Sequence, residues 1–307
     1  MKKALLIILK LFVTIVVLLF LYEKIREDKF AFISAFQLFT GSPTIIILVV
    51  FLMPANWLME VLKWKYSIQP ITKISISTAS TGVLAGVALG FVTPHAVGDY
   101  FAKVFSLTHH NRKRALGLIL ISRMMQMFPT AIFGIISFYI FSRRSLFQYD
   151  IPLTFSYPVL SILGGLVAAL LLMVFLNRNH PRIQDNIHPF KSVGIEFLGI
   201  LAGLSIIRYV IFSVQFLLLL SVLGLKISLL MQFMGVAFMF LAKSILPTFN
   251  FLSDLGIREF SVALFFESMG VEVAPIIAAG LILWLINIAL PALIGLFFIP
   301  QLKLRNS

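Results

Sequence analysis

The chain has 307 residues, of which 60% are hydrophobic and only 12% charged, whereas soluble domains carry about half apolar and a quarter charged residues. A water-soluble fold cannot bury that much apolar surface, so the expected class is an all-α integral membrane protein. The absence of cysteine excludes disulfides, thiol nucleophiles, thiolate zinc sites and iron–sulfur clusters. The excess of 25 Lys and Arg over 12 Asp and Glu falls mostly in short segments between apolar blocks, where cations orient spans and attract anionic lipid headgroups; nucleic acid is not the implied partner.

In chain order, residues 4–21 form an apolar run with only Lys10 inside it, ending at Tyr22-Glu23-Lys24. The run is too long for a signal core and reads as a retained first span. Residues 42–61, 115–141, 157–176, 199–223 and 274–298 are the other blocks of span length. Two further apolar runs are interrupted: 74–107 at Gly90-Phe91-Val92-Thr93-Pro94-His95, and 228–269 at Leu246-Pro247-Thr248-Phe249-Asn250. Proline removes a backbone donor and clashes with the preceding turn, and irregular backbone in a bilayer persists only against protein or a wet cavity. Each interrupted run is therefore expected to be a broken, re-entrant helix pair, the alternative being ordinary kinked helices joined by a loop. The layout is six full spans plus two broken pairs in one membrane domain over 1–307, with no soluble catalytic domain.

With the N-terminus inside, the cytoplasmic segments hold Lys2, Lys3, Lys63, Lys65, Lys73, Arg112, Lys113, Arg114, Arg178, Arg182, Lys191, Lys303 and Arg305. The outer ones hold Lys24, Arg26, Lys29, Arg143, Arg144 and Lys226. The inward bias places both termini in the cytoplasm and the protein in the cell (inner or plasma) membrane. The order span, span, broken pair, span recurs after about residue 150, giving pseudo-repeats of about 1–145 and 150–307. An odd number of crossings per half makes the second half inverted, the plan of many transporters, with substrate sites where broken helices meet.

Six cations remain within or beside apolar blocks: Lys10, Lys103, Arg123, Arg208, Lys243 and Arg258. An intramembrane cation is costly and usually faces a partner or a wet cavity, and Lys10 can simply reach an interface. After the first break comes Asp99 with Lys103 four residues on; after the second comes Asp254 with Arg258 four residues on, followed by Glu259. On a helix this spacing puts acid and base on one face in the favourable order. The pairs serve either to neutralise each other for insertion or to build a pocket around Pro94 and Pro247 whose cations bind phosphate. Arg123 is expected in that pocket, because its planar fork suits phosphate oxygens. Arg208 is expected either there or in a salt bridge with Glu196 or Glu60. His109-His110 precedes Asn111-Arg112-Lys113-Arg114 without further ligands, so no metal or other cofactor is expected. Nucleophile-elbow, zincin and phosphate-loop motifs are absent, which argues against an enzyme.

At Gly90–Leu107, Ser122-Arg123 and Leu246–Phe260, the chain resembles the flippase-like family named for the membrane region of lysylphosphatidylglycerol synthases. The resemblance rests on a Pro-then-Gly-acid element ending in a base, here Pro94, Gly98-Asp99 and Lys103. It rests also on a late Pro-then-Gly-x-Arg-Glu element, here Pro247 and Gly256-Ile257-Arg258-Glu259. The chain departs from the family pattern at Ser122, where Glu is frequent, at Lys103, where Arg is common, and at residues 249–253, where glycine-rich sequence is usual. The resemblance implies movement of a phospholipid or a polyprenyl-phosphate-linked lipid between leaflets, without lipid synthesis. The alternative is a non-transporting lipid-binding accessory of a membrane glycosyltransferase or lipid-modifying enzyme.

Overall fold

The computed structural model describes residues 15, 19, 21–23, 25–93, 96–108, 111–148, 194–246 and 251–302, with 113, 144–148 and 251–255 described by backbone alone. Among these residues all regular structure is helical. The helices are α1 (Lys29–Thr40), α2 (Pro43–Ser67), α3 (Ile76–Val92), α4 (Val97–Phe105), α5 (Arg112–Gln148), α6 (Ile195–Val222), α7 (Leu229–Ile245), α8 (Phe251–Glu267) and α9 (Val273–Trp284). A π turn (Leu285–Ala289) carries α9 into α10 (Leu290–Leu296). Four stretches are long and apolar enough to cross a bilayer: Pro43–Ser67, Arg114–Arg143, Ile195–Val222 and Val273–Leu296. They coincide with four of the six expected spans. The expected span at 157–176, and that at 4–21 apart from residues 15, 19 and 21, lie outside the described residues.

Local chemistry sets the helix ends. Ser42-Pro43 opens α2 with proline at its first position, where the missing N–H needs no partner. Ser75 and Ser228 cap α3 and α7, their side chains accepting from the backbone N–H of Thr78 and Met231. Each of these helices is 17 residues long and ends on a residue in extended conformation, Thr93 or Leu246, immediately before a proline, as the steric clash with a following proline ring requires. Both interrupted runs are thus helix pairs whose first helix ends immediately before the expected proline.

The first pair folds back tightly. Thr93 Oγ1 donates to the Leu89 carbonyl (2.7 Å) and accepts from Gly98 N–H (2.8 Å), so one hydroxyl closes α3 and caps α4. Ala96 sits at φ 51°, a left-handed conformation uncommon for a residue with a side chain. The glycines Gly82, Gly86 and Gly90 form a stripe at four-residue spacing along α3, and α4 lies on it. A Cβ on Gly86 would fall 2.6 Å from Asp99 Oδ1, and one on Gly98 would fall 2.3 Å from the Leu89 carbonyl carbon. Small residues allow backbones to approach this closely, which is how packing is achieved without a hydrophobic drive between helices.

Around this pair, α2 packs along α6, α7 along α5, and α10 along α3. One apolar core, with Phe39, Phe216, Met239, Phe265 and Phe266, joins the helices after α5 to α1 and the start of α2. A second, with Trp64, Ile68, Val83, Leu107 and Leu118, joins α2 to α5.

Candidate functional site

The α3 glycine stripe seats α4 so that Asp99 and Lys103 face inward, 8% and 3% exposed. Lys103 Nζ lies 3.1 Å from Asp99 Oδ2, as the i,i+4 spacing predicts, and 2.8 Å from Glu60 Oε1 on α2. Glu60 Oε2 is shared by two more cations, Lys63 Nζ and Arg208 Nη1 of α6, each at 2.6 Å. Arg123 of α5 pairs through Nη2 with Asp99 Oδ2. Lys63 also donates to Gln126 Oε1 (2.8 Å), and Arg208 Nε to Asn56 Oδ1 (3.0 Å). The ions thus form one chain of alternating sign, Arg208–Glu60–Lys103–Asp99–Arg123, with Lys63 as a branch, drawn from α6, α2, α4 and α5.

A layer of amides adjoins it. Gln215 of α6 donates to the Val49 carbonyl (2.8 Å) and accepts from Asn287 Nδ2 (3.0 Å). Asn287 sits in the π turn, and Trp57 Nε1 donates to its backbone carbonyl at 3.1 Å. A π turn interrupts the regular helix ladder and frequently marks functional positions.

Within the ionic cluster four cations face two carboxylates, so formal charge is positive by two. Donors are also in surplus, since Arg123 Nε and Trp64 Nε1 are buried without an acceptor among the described residues. Arg123 is the most open member, its side chain 34% exposed, and its guanidinium lies 5.4 Å from the centre of the Tyr100 ring. Glu60, Trp64, Lys103, Ser122 and Arg123 line a cavity of about 10 Å³, the room of a single water. In this conformation the cluster is closed around itself.

The structure brings together four of the residues expected from the sequence: Asp99, Lys103, Arg123 and Arg208. Of the two partners open for Arg208, it takes Glu60. Arg258 and Glu259 are buried on α8 away from this chain of contacts. Arg258 lies over the Phe212 ring at 5.2 Å, and Glu259 lies against α9 at Gly280, where a Cβ would fall 1.7 Å from its Oε2. Pro94 and Pro247 lie outside the described residues, as do His109 and His110; Asp254 belongs to α8 by backbone alone.

Lys63 corrects the sequence reading, which placed it among cytoplasmic loop cations. Helix α2 continues to Ser67, so Lys63 is inside it and 1% exposed. Gln126 and Asn56 are site members that no motif singled out, and Glu60 was expected only as one of two partners for Arg208. The i,i+3 pair Glu60 and Lys63 inside an apolar span was the available signal. Among the described residues no group of three His, Asp or Glu side chains could hold a metal.

Neither the curated proteins nor the solved structures give a match. The family model described as lysylphosphatidylglycerol synthase TM region matches residues 7–295, nearly the full length, and the chain belongs to that family.

Proposed function

We propose that the protein moves a lipid with a phosphate-bearing headgroup, a phospholipid or a polyprenyl-phosphate-linked lipid, between the leaflets of the cell membrane. It acts as a carrier and not as an enzyme. The observation that carries this reading is the buried ionic cluster, which among the described residues has two more cations than carboxylates and two donors without acceptors. A buried excess of positive charge is costly, and an anionic headgroup supplies what the protein leaves out. Arg123 and Lys103 meet the phosphate, Arg123 through its fork. Asp99 and Glu60 hold the cations in place while the site is empty. The acyl chains stay in the bilayer, and headgroup passage requires the four helices that share the cluster to part.

An inverted repeat of about 1–145 and 150–307, with six spans, two broken pairs and both termini cytoplasmic, fits this role. Its support is the correspondence of α3–α4 with α7–α8: serine caps at Ser75 and Ser228, first helices α3 and α7 of equal length, extended residues before Pro94 and Pro247, then Asp99 with Lys103 and Asp254 with Arg258. The packing of α3 on α10 and of α7 on α5 follows the same exchange of halves.

The test is a headgroup-accessibility assay in proteoliposomes across a panel of labelled lipids. Protein-dependent exchange of an anionic lipid, lost in Arg123→Gln at matched protein levels, is the expected result. Binding without exchange would instead favour the accessory role beside a membrane glycosyltransferase or lipid-modifying enzyme. Exchange at the wild-type rate in both Arg123→Gln and the Asp99→Asn/Lys103→Met double variant would refute the site.

A further inference from the structure

A buried site selects the ligand whose charge matches the charge left over by the protein, because surplus charge of either sign is costly away from water. Among the described residues the cluster sets four cations, Lys63, Lys103, Arg123 and Arg208, against Glu60 and Asp99, a formal excess of two. The polar side chains that adjoin these ions, Asn56, Tyr100, Ser122 and Gln126, are neutral. The spare donors lie in the same place. Arg123 Nε and Trp64 Nε1 are buried without an acceptor among the described residues, and both residues line one cavity with Lys103 and Ser122.

We infer that the site is built for a phosphate monoester, a lipid whose phosphate is terminal. Such a group carries close to two negative charges at neutral pH and three strong acceptor oxygens. A phosphodiester headgroup, with a second oxygen bonded to carbon, carries a single charge and one free oxygen fewer. The dianion cancels the whole excess of the cluster, and its additional oxygen accepts from the donors that the protein leaves over. A diester cancels half the excess. The inference rests on the proposed function for its ligand class and narrows that class from phosphate-bearing lipids in general to those with an unesterified terminal phosphate. The closed cavity has the room of a single water, so the phosphate enters as the helices part, past Arg123, the most open of the ions at 34%.

Binding of farnesyl phosphate and of methyl farnesyl phosphate to the full chain in nanodiscs of zwitterionic lipid tests this, because the probes differ by one methyl group. At pH 7.5 wild type is expected to prefer the monoester by about tenfold or more, the range of one further hydrogen bond to a charged group. The second ionisation of a phosphate monoester lies near pH 6 and the methyl ester has none, so the preference should shrink about tenfold at pH 5. The charged and titratable groups that face the ligand are Glu60 and Lys63 of α2, Asp99, Tyr100 and Lys103 of α4, Arg123 of α5 and Arg208 of α6. Their own titration moves both probes in the same direction, which the ratio removes. Lys63 does not line the cavity, so Lys63→Met halves the excess without altering the wall and should cut the preference to about threefold or less. Trp64→Phe removes a spare donor and keeps an aromatic ring. It should lower monoester affinity about threefold or more without lowering the unfolding midpoint, whereas a purely structural tryptophan would do the reverse. Equal or weaker binding of the monoester by wild type, a preference unchanged between pH 7.5 and pH 5, or an undiminished preference in Lys63→Met would overturn the monoester assignment. The proposed function survives those results as long as either probe binds and depends on Arg123. Failure of wild type to bind either probe would sink both. Inorganic phosphate should displace farnesyl phosphate only at far higher concentration; displacement at equal concentration would overturn the assignment to a lipid headgroup.

Discussion

Glu60 is the residue on which the ionic cluster depends, and Glu60→Gln is the most informative single change. Its carboxylate is 4% exposed and touches three cations, Lys103 at 2.8 Å and Lys63 and Arg208 at 2.6 Å. At these separations and an effective dielectric of about 20, each contact represents about 6 kcal/mol of gross attraction. Most of that offsets the removal of the ions from water, so the pairs contribute little relative to an apolar core. Removing one partner is a different matter, because three cations then repel one another in a buried space. Breaking a buried pair in this way costs about 3–5 kcal/mol. Glutamine keeps the shape and one acceptor, which isolates the charge. Unfolding in mixed anionic and non-ionic detergent, followed by the fluorescence of the three tryptophans, reads the loss, with the exposed Glu23→Gln as a control expected within about 0.5 kcal/mol. Adding Lys63→Met should recover part of the loss, since the contacts of Lys63 are Glu60 and Gln126, with a coupling of about 0.5–3 kcal/mol. A Glu60→Gln protein as stable as wild type to within about 0.5 kcal/mol would refute the account of the cluster as a net-positive, mutually dependent set.

Other outcomes follow from the same geometry. Gly98→Ala places a Cβ 2.3 Å from the Leu89 carbonyl carbon; backbone cannot yield as a side chain can, so a loss of about 1–3 kcal/mol or more in the same unfolding assay is expected. Thr93→Val removes the hydroxyl that bridges the Leu89 carbonyl and the Gly98 N–H and should cost about 1–2 kcal/mol, while Thr93→Ser should retain most of the stability. C-terminal reporter fusions should be active only on the cytoplasmic side, and activity only outside would overturn the orientation together with the inverted repeat.

The helical membrane class was legible because it depends on composition, and four span positions because each is a contiguous apolar run. The breaks were legible because proline acts on its immediate neighbours: Thr93 and Leu246 are extended where Pro94 and Pro247 follow. Helix ends were read less well. The second apolar block was drawn to end at 61, yet α2 continues to Ser67, because buried Lys63 pairs with Gln126 of α5 and the Trp64 ring packs in the apolar core that joins α2 to α5, tertiary contacts that a hydropathy window cannot see. The stripe Gly82, Gly86 and Gly90 was present in the sequence as a small-residue repeat at helical spacing, and it is this stripe that seats Asp99.

The site was legible only where its contacts are local. Asp99 with Lys103 is an i,i+4 link that sequence spacing reveals, and Glu60 with Lys63 is an i,i+3 link of the same kind. The remaining links join residues 24, 43 and 148 positions apart: Arg123 to Asp99, Lys103 to Glu60 and Arg208 to Glu60. No periodicity encodes those distances. What did point to them was a physical mismatch, since an arginine in the middle of an apolar span requires a partner wherever the chain supplies one. The same reasoning ranks the residues that neither spacing nor partner explains. Lys103 and Arg208 have carboxylates that account for their burial, whereas Arg123 Nε and Trp64 Nε1 are buried beside them without an acceptor among the described residues. By the rule that buried polar groups are hydrogen-bonded, it is at these two donors, more than at the paired ions, that burial itself argues for a ligand.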